Sequence, residues 1–305
     1  MHNIITTLIP IFMLITLGYI FKRVAFPSLE FWPMMDKFTY YVLFPSLLIY
    51  KLSTAQLSNI NSFDVVLTML VSLVLMLLLT LVIGRFKSIE NRAFTSVIQG
   101  AIRFNTYVFL ALVDALLGDS GLVIAAVVMA FAIPFINFLC IGAFSYFINK
   151  EDLKVGKFLK SIFTNPLIVA CLVGGILNIS GIMLPIIAIK TLSILSAAAL
   201  PLGLLSVGVG LELSHINSAK YELFLSVILK LVIFPLVIFV VAYFFNLSKE
   251  ALLVLILFAS MPTASSSYIL ARQLGGDLKL MSSIITLQTL ISIATIGVII
   301  SAIHT

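Results

Sequence analysis

Ten long apolar runs, separated only by short polar connections, leave this chain one solvent to fold in. They cover residues 4–21, 34–52, 63–84, 93–117, 121–148, 158–179, 182–211, 219–245, 250–274 and 278–303. Each has the length a helix needs to cross a bilayer, roughly 17–25 residues. Of the 305 residues, 62% are hydrophobic and 10% charged, whereas soluble domains carry roughly 25% charged residues. The sequence therefore predicts an all-α polytopic membrane protein with the lipid bilayer as its solvent. No connection is long enough for a soluble domain. The longest, Asn149 to Lys160, falls at the middle of the chain and predicts two halves, 1–150 and 151–305.

The formal charge of +6 is a topology signal, not a nucleic-acid signal. Lys22, Arg23, Arg85, Lys87, Arg92, Lys150, Lys154, Lys157, Lys160, Lys220 and Lys279 follow odd-numbered runs; little beyond Lys51 and Lys249 follows even-numbered ones. Cationic loops stay in the cytoplasm. The expectation is a multi-pass protein of the cell (inner) membrane with both termini on the extracytoplasmic side. The first run lacks a basic leader and a small-residue cleavage site and ends in Lys22-Arg23, so it reads as the first membrane helix. Cys140 and Cys171 lie inside apolar runs and read as buried thiols.

An internal repeat gives the step toward function. Pro10, Gly18 and Pro45 recur as Pro166, Gly174 and Pro201 at a constant offset of 156, in similar apolar surroundings. At that offset Asn105 pairs with Met261 and Thr106 with Pro262. Each half then holds an odd number of helices, so the second must insert upside down. Inverted repeats of this kind are a transporter architecture, with the binding site at the midplane between discontinuous helices.

Two runs carry groups that a spanning helix does not hold without compensation. In the fourth, Gln99, Arg103, Asn105, Thr106 and Asp114 interrupt the apolar stretch. An arginine near the midplane costs from ~2.5 to ~17 kcal/mol, so Arg103 requires a cavity, a partner or a ligand. At about 100° per residue Asn105 lies about 200° from Arg103, so only an unwound segment near 103–107 brings both to one site. In the ninth run, Pro262 removes a backbone donor and breaks the helix, and Thr263, Ser265, Ser266 and Ser267 can bond the freed groups. The candidate substrate-binding residues are Arg103, Asn105, Thr106 and Tyr107 on one segment and Met261, Pro262, Thr263 and Ser265 on the other. Asn105 and Pro262 mark the breaks. Asp114, Arg272 and Asp277 read as interfacial, and Lys190 and Lys230 as snorkelling lysines, Lys230 the deeper.

The chain resembles the auxin efflux carrier family, in its bacterial membrane-transport branch, over essentially its full length. The resemblance rests on IPIFMLITLGYIFKR at 9–23, YYVLFPSLLIYKL at 40–52, FNT at 104–106, NPLIVACLVGGIL at 165–177, ALPLGLLSVGVGLEL at 199–213 and MPTASSSYILARQLGGD at 261–277. It implies ten helices as two inverted five-helix repeats, with helices 4 and 9 broken and crossing at the substrate site. It also implies a scaffold of helices 1, 2, 6 and 7, a transport core of 3–5 and 8–10, a homodimer and an elevator-type movement. The family's crossover asparagine matches Asn105 and its helix-9 proline matches Pro262. Tyr107, Leu110 and Leu112 stand where the family commonly has glycines and a proline, and Arg103 where the plant carriers have a small or apolar residue. Both departures point away from auxin and toward a smaller anion.

The leading expectation is a secondary transporter of a small organic anion, a mono- or dicarboxylate, held by Arg103 and the helix-4 break against Met261 to Ser265. A sodium- or proton-coupled cation exchanger on a related fold is the alternative; it calls for acidic residues at the crossover, and none stands beside Asn105 or Pro262. An enzyme is not expected, since no H-E-x-x-H pair, Ser–His pair or paired intramembrane aspartates are present. No metal, cofactor or nucleic-acid partner is expected either.

Overall fold

The computed structural model describes residues 2–55, 62–87, 89–149, 164–213 and 220–304. All regular secondary structure among them is helical: α1 His2–Arg23, α2 Phe31–Phe38, α3 Phe44–Ser53, α4 Ser62–Arg85, α5 Asn91–Ile102, α6 Thr106–Phe144, α7 Pro166–Ile179, α8 Ile186–Val209, α9 Lys220–Ile228, α10 Phe234–Ala242, α11 Lys249–Ser260, α12 Ser266–Leu274 and α13 Leu278–His304, with π-helical turns at Thr39–Leu43, Ser145–Asn149 and Leu229–Ile233. Among the described residues five helical stretches are long and apolar enough to cross a membrane: Ser62–Arg85, Asn91–Ile148, Ile186–Val209, Lys220–Ala242 and Leu278–Ala302.

Some of the ten apolar runs are not regular helices throughout, and in two of them a proline widens the helix without breaking it. Pro45 has no N–H, and its ring crowds the carbonyl four residues back. The backbone widens ahead of it into the π-turn Thr39–Leu43, where the Phe44 N–H reaches the Thr39 carbonyl. Pro235 has the same effect on Leu229–Ile233, with the Phe234 N–H on the Leu229 carbonyl. The fourth and fifth runs join differently. α6 is two helices meeting at Gly118, whose φ of 61° and ψ of −146° belong to no helix and favour glycine. The run at 158–179 is described only from residue 164, and α7 begins at Pro166 behind Asn165, whose side-chain oxygen accepts from the N–H groups of Leu167 (3.0 Å) and Ile168 (3.3 Å). The basic connection with Lys150, Lys154, Lys157 and Lys160 lies outside the described residues.

Burial is inverted relative to a soluble protein. Leu78, Val82, Ile176, Ile187, Phe239 and Val298 are exposed, while Thr80, Gln99, Lys230, Gln288 and Thr289 are buried. An apolar surface around a partly polar interior is what lipid, rather than water, stabilises.

The closest helix contacts use glycine. A Cβ on Gly18 would stand 2.1 Å from the Leu205 carbonyl oxygen, and one on Gly208 1.9 Å from that of Ile15, so α1 and α8 touch backbone to backbone. Gly174 of α7 packs tightly on α3, where a Cβ would meet that of Leu52 at 2.8 Å. Small residues permit such approach where no hydrophobic effect drives helices together. α1, α3, α7 and α8 thus form one packed group. α4, α5, α6 and α9 to α13 pack chiefly on one another beside it.

Candidate functional site

The two polar interruptions meet at one place. α5 ends at Ile102 and the chain runs extended through Arg103 (φ −76°, ψ 154°) to Asn105 (φ −82°, ψ 106°), where α6 begins. α11 ends at Ser260, Met261 is extended (φ −69°, ψ 141°), and helix resumes at Ser266. The Asn105 N–H donates to the Pro262 carbonyl at 2.7 Å, backbone to backbone. α5 and α11, the helices that lead into the two breaks, are both 12 residues long.

Each break leaves backbone groups that must be satisfied inside the protein. Asn105 acts as an N-cap: its Oδ1 accepts from the N–H groups of Tyr107 (3.0 Å) and Val108 (3.2 Å), and the side chain is almost fully buried. On the other segment the work falls to Gln288 of α13. Its Oε1 accepts from the Thr263 N–H at 2.9 Å and lies 2.7 Å from the Thr263 hydroxyl. Its Nε2 donates to the Gly100 carbonyl at 2.9 Å and reaches the Ser226 carbonyl and hydroxyl at 3.1 Å. The Thr263 hydroxyl also lies 3.1 Å from the Gly100 carbonyl. One buried amide therefore ties both interrupted helices to α9.

A cavity of about 1160 Å³ ends at this junction. Asn105, Thr106, Tyr107, Ser265 and Ser266 line it at the breaks, while Lys22, Lys37 and Lys279 line it elsewhere. α6 and α12 both start here, so two helix N-termini, with their partial positive charge, face one space. The N–H groups of Thr106 and Ser266 have no acceptor among the described residues.

The remaining residues expected at the site divide into lining and support. Tyr107 stacks on Phe44 of α3, ring centroids 4.6 Å apart and planes 5° apart, and its hydroxyl donates to Asp36 Oδ1 at 3.2 Å. Met261, Pro262 and Thr263 are fully buried and do not line the cavity; they support its wall from behind. Arg103 does not line it either. Its Nη1 donates to Asn137 Oδ1 at 3.0 Å and its Nη2 to Ser266 Oγ at 3.1 Å, so the guanidinium stands directly behind a lining residue with only neutral partners in those two bonds. Asp114 is half-buried and away from the cavity. Lys230 is fully buried with its Nζ over the rings of Phe234 (4.5 Å) and Phe258 (5.8 Å), and does not snorkel. Asp277 caps α13 through the Leu280 N–H at 3.0 Å.

Sequence reasoning missed Asp36, Ser206, Asn137 and Gln288. A carboxylate inside the second apolar run was a usable signal for Asp36. Nothing in sequence separates Gln288 or Asn137 from an ordinary buried amide.

The profile of the family described as membrane transport protein matches residues 3–300 of this chain. The chain belongs to that family. This membrane transport protein is also similar to an uncharacterized transporter of Methanothermobacter thermautotrophicus, 26% identical over 295 residues that cover 95% of each chain. With its apolar helices and lipid-type surface, it is a membrane protein of a transporter family.

Proposed function

We propose that this protein is a secondary transporter of a small organic anion, which binds where the two interrupted helices meet. The observation that carries the reading is the cavity floor. Two helix N-termini converge on it, its lining at the breaks (Asn105, Thr106, Tyr107, Ser265, Ser266) is uncharged, and the Arg103 guanidinium stands one side chain behind. Helix N-termini bind anions through N–H groups and dipole together, and a nearby guanidinium adds to that field. The protein is read as a carrier, not an enzyme.

The wider architecture follows the same reading: ten helices as two inverted five-helix repeats, 1–150 and 151–305, with helices 4 and 9 crossing at their breaks. Reciprocal packing supports it. Gly18 of the first helix packs on the seventh, and Gly174 of the sixth on the second, the exchange a two-fold axis requires. The group α1, α3, α7 and α8 serves as scaffold, and the rest moves past it as an elevator. Lys22, Lys37 and Lys279 belong to the side that the charge asymmetry assigns to the cytoplasm, so this conformation opens inward. The protein resides in the cell (inner) membrane as a homodimer with both termini outside.

Thermal stabilisation of the purified protein by organic anions and amine cations, wild type beside Arg103→Gln, tests the reading. A ligand specific to the folded state raises the midpoint by mass action. Carboxylates are expected to stabilise wild type, and the variant is expected to need about tenfold more. An equal response makes Arg103 a support for Ser266 and leaves the floor residues as the ligands. Stabilisation by amines alone overturns the anion reading.

A further inference from the structure

Among the described residues two carboxylates line this cavity, Glu212 and Asp36; Glu212 is paired with Lys22, and Asp36 is the one that an anion carrier leaves unexplained. It lies on α2, inside an apolar run, half-buried and lining the cavity. An ionisable group at such a place is costly and marks a substrate or ion pathway by default. Both side-chain hydrogen bonds it accepts fall on Oδ1, from the Ser206 hydroxyl at 2.7 Å and the Tyr107 hydroxyl at 3.2 Å. Both donors are neutral. Among the described residues no lysine or arginine stands within ion-pair distance of it; Lys22, on the same cavity, is held by Glu212 at 3.1 Å and by the Leu211 carbonyl at 2.7 Å. Oδ2 receives no hydrogen bond from the described residues.

Tyr107 fixes the distance between this carboxylate and the helix breaks. Its N–H is on Asn105 Oδ1 at 3.0 Å and its hydroxyl on Asp36, so one tyrosine side chain separates the anion-binding floor from a carboxylate without a cation. The stacked Phe44 ring holds that tyrosine in place. A simple carboxylate on the floor would face Asp36 with nothing to offer it. A ligand carrying an ammonium group a few carbons from its carboxylate would satisfy both ends.

We infer that the transported anion is a small aminocarboxylate, its carboxylate on the floor formed by Thr106 and Ser266 and its ammonium on Asp36. The inference rests on the proposed anion site and adds the cationic end. Charge-assisted hydrogen bonds of this kind are the strong ones. The same carboxylate disfavours dicarboxylates through like-charge repulsion.

The test compares β-alanine, γ-aminobutyrate and δ-aminovalerate with propionate, butyrate and valerate, and with propylamine, butylamine and pentylamine, as stabilisers of the full-length protein in detergent. For wild type, at least one aminocarboxylate is expected to act at about tenfold lower concentration than its unsubstituted acid. Asp36→Asn, which keeps an acceptor for Tyr107 and Ser206, is expected to erase that preference: the aminocarboxylates lose their advantage, and the plain acids, relieved of the negative charge, act at equal or lower concentration than on wild type. Asp36→Glu, which advances the carboxylate by one methylene, is expected to move the optimum to a shorter ligand and answers the question if the asparagine variant does not fold. Equal response of wild type to acids and aminoacids, or a preference that survives in Asp36→Asn, overturns the inference and leaves the anion carrier standing. Sodium stabilisation that needs Asp36, without any aminocarboxylate preference, also overturns it and makes Asp36 a coupled-cation site. Response to amines alone, or to no member of the series, overturns both readings.

Discussion

Asn105 shows how one side chain can serve structure and ligand together. Its oxygen caps α6 through two N–H groups, its own N–H holds Pro262, and it lines the cavity. Loss of an N-cap costs ~1 kcal/mol. Asn105→Ala is therefore expected to lower the thermal midpoint modestly and remove carboxylate stabilisation. Asn105→Asp keeps the cap, so its midpoint is expected near wild type. Its charge repels an anion, so ligand stabilisation is expected to vanish all the same. Measuring both variants with and without ligand separates capping from binding. Arg103 offers a contrast at the same scale. Its position is legible in sequence, but only the fold shows that its guanidinium bonds Asn137 and Ser266.

Among the elements, the junction depends on a helix outside it. α13 supplies Gln288, which satisfies Thr263 from one break, Gly100 from the helix preceding the other, and Ser226 of α9. Each buried polar group left without a partner costs about 1–3 kcal/mol. Gln288→Ala frees several at once and is expected to destabilise by about 3 kcal/mol or more, read as a lower midpoint in thermal unfolding. The π-turns ahead of Pro45 and Pro235 belong to this scale as well. A proline alone predicts a kink, but the carbonyl packing around it decides that the helix widens instead of breaking.

The whole molecule places an apolar surface outside and polar groups within, and the orientation proposed for it rests on loop charge. If both termini lie on the extracytoplasmic side as proposed, alkaline phosphatase fused after Thr305 is expected to be active and a fluorescent protein at the same place dark. Insertion of either reporter in the 150–160 connection is expected to give the reverse. The opposite pattern would overturn the proposed orientation and make the cavity an outward-open one.

Length, apolar periodicity and loop charge determined, without coordinates, that the chain is helical and lipid-solvated, because those depend on local composition and the solvent it demands. The breaks at Asn105 and Pro262 were also legible, since a cluster of polar groups or a proline inside an apolar run cannot continue an ordinary helix. Which residues face the cavity was decided only by the tertiary structure. Met261, Pro262 and Thr263 carry the break signal yet turn inward, whereas Ser206 and Tyr107, from distant segments, both donate to Asp36 on the cavity wall. Spacing along one helix fixes a face, but not what stands opposite it. That depends on how α1, α3, α7 and α8 pack against the rest, as where Tyr107 of α6 stacks on Phe44 of α3.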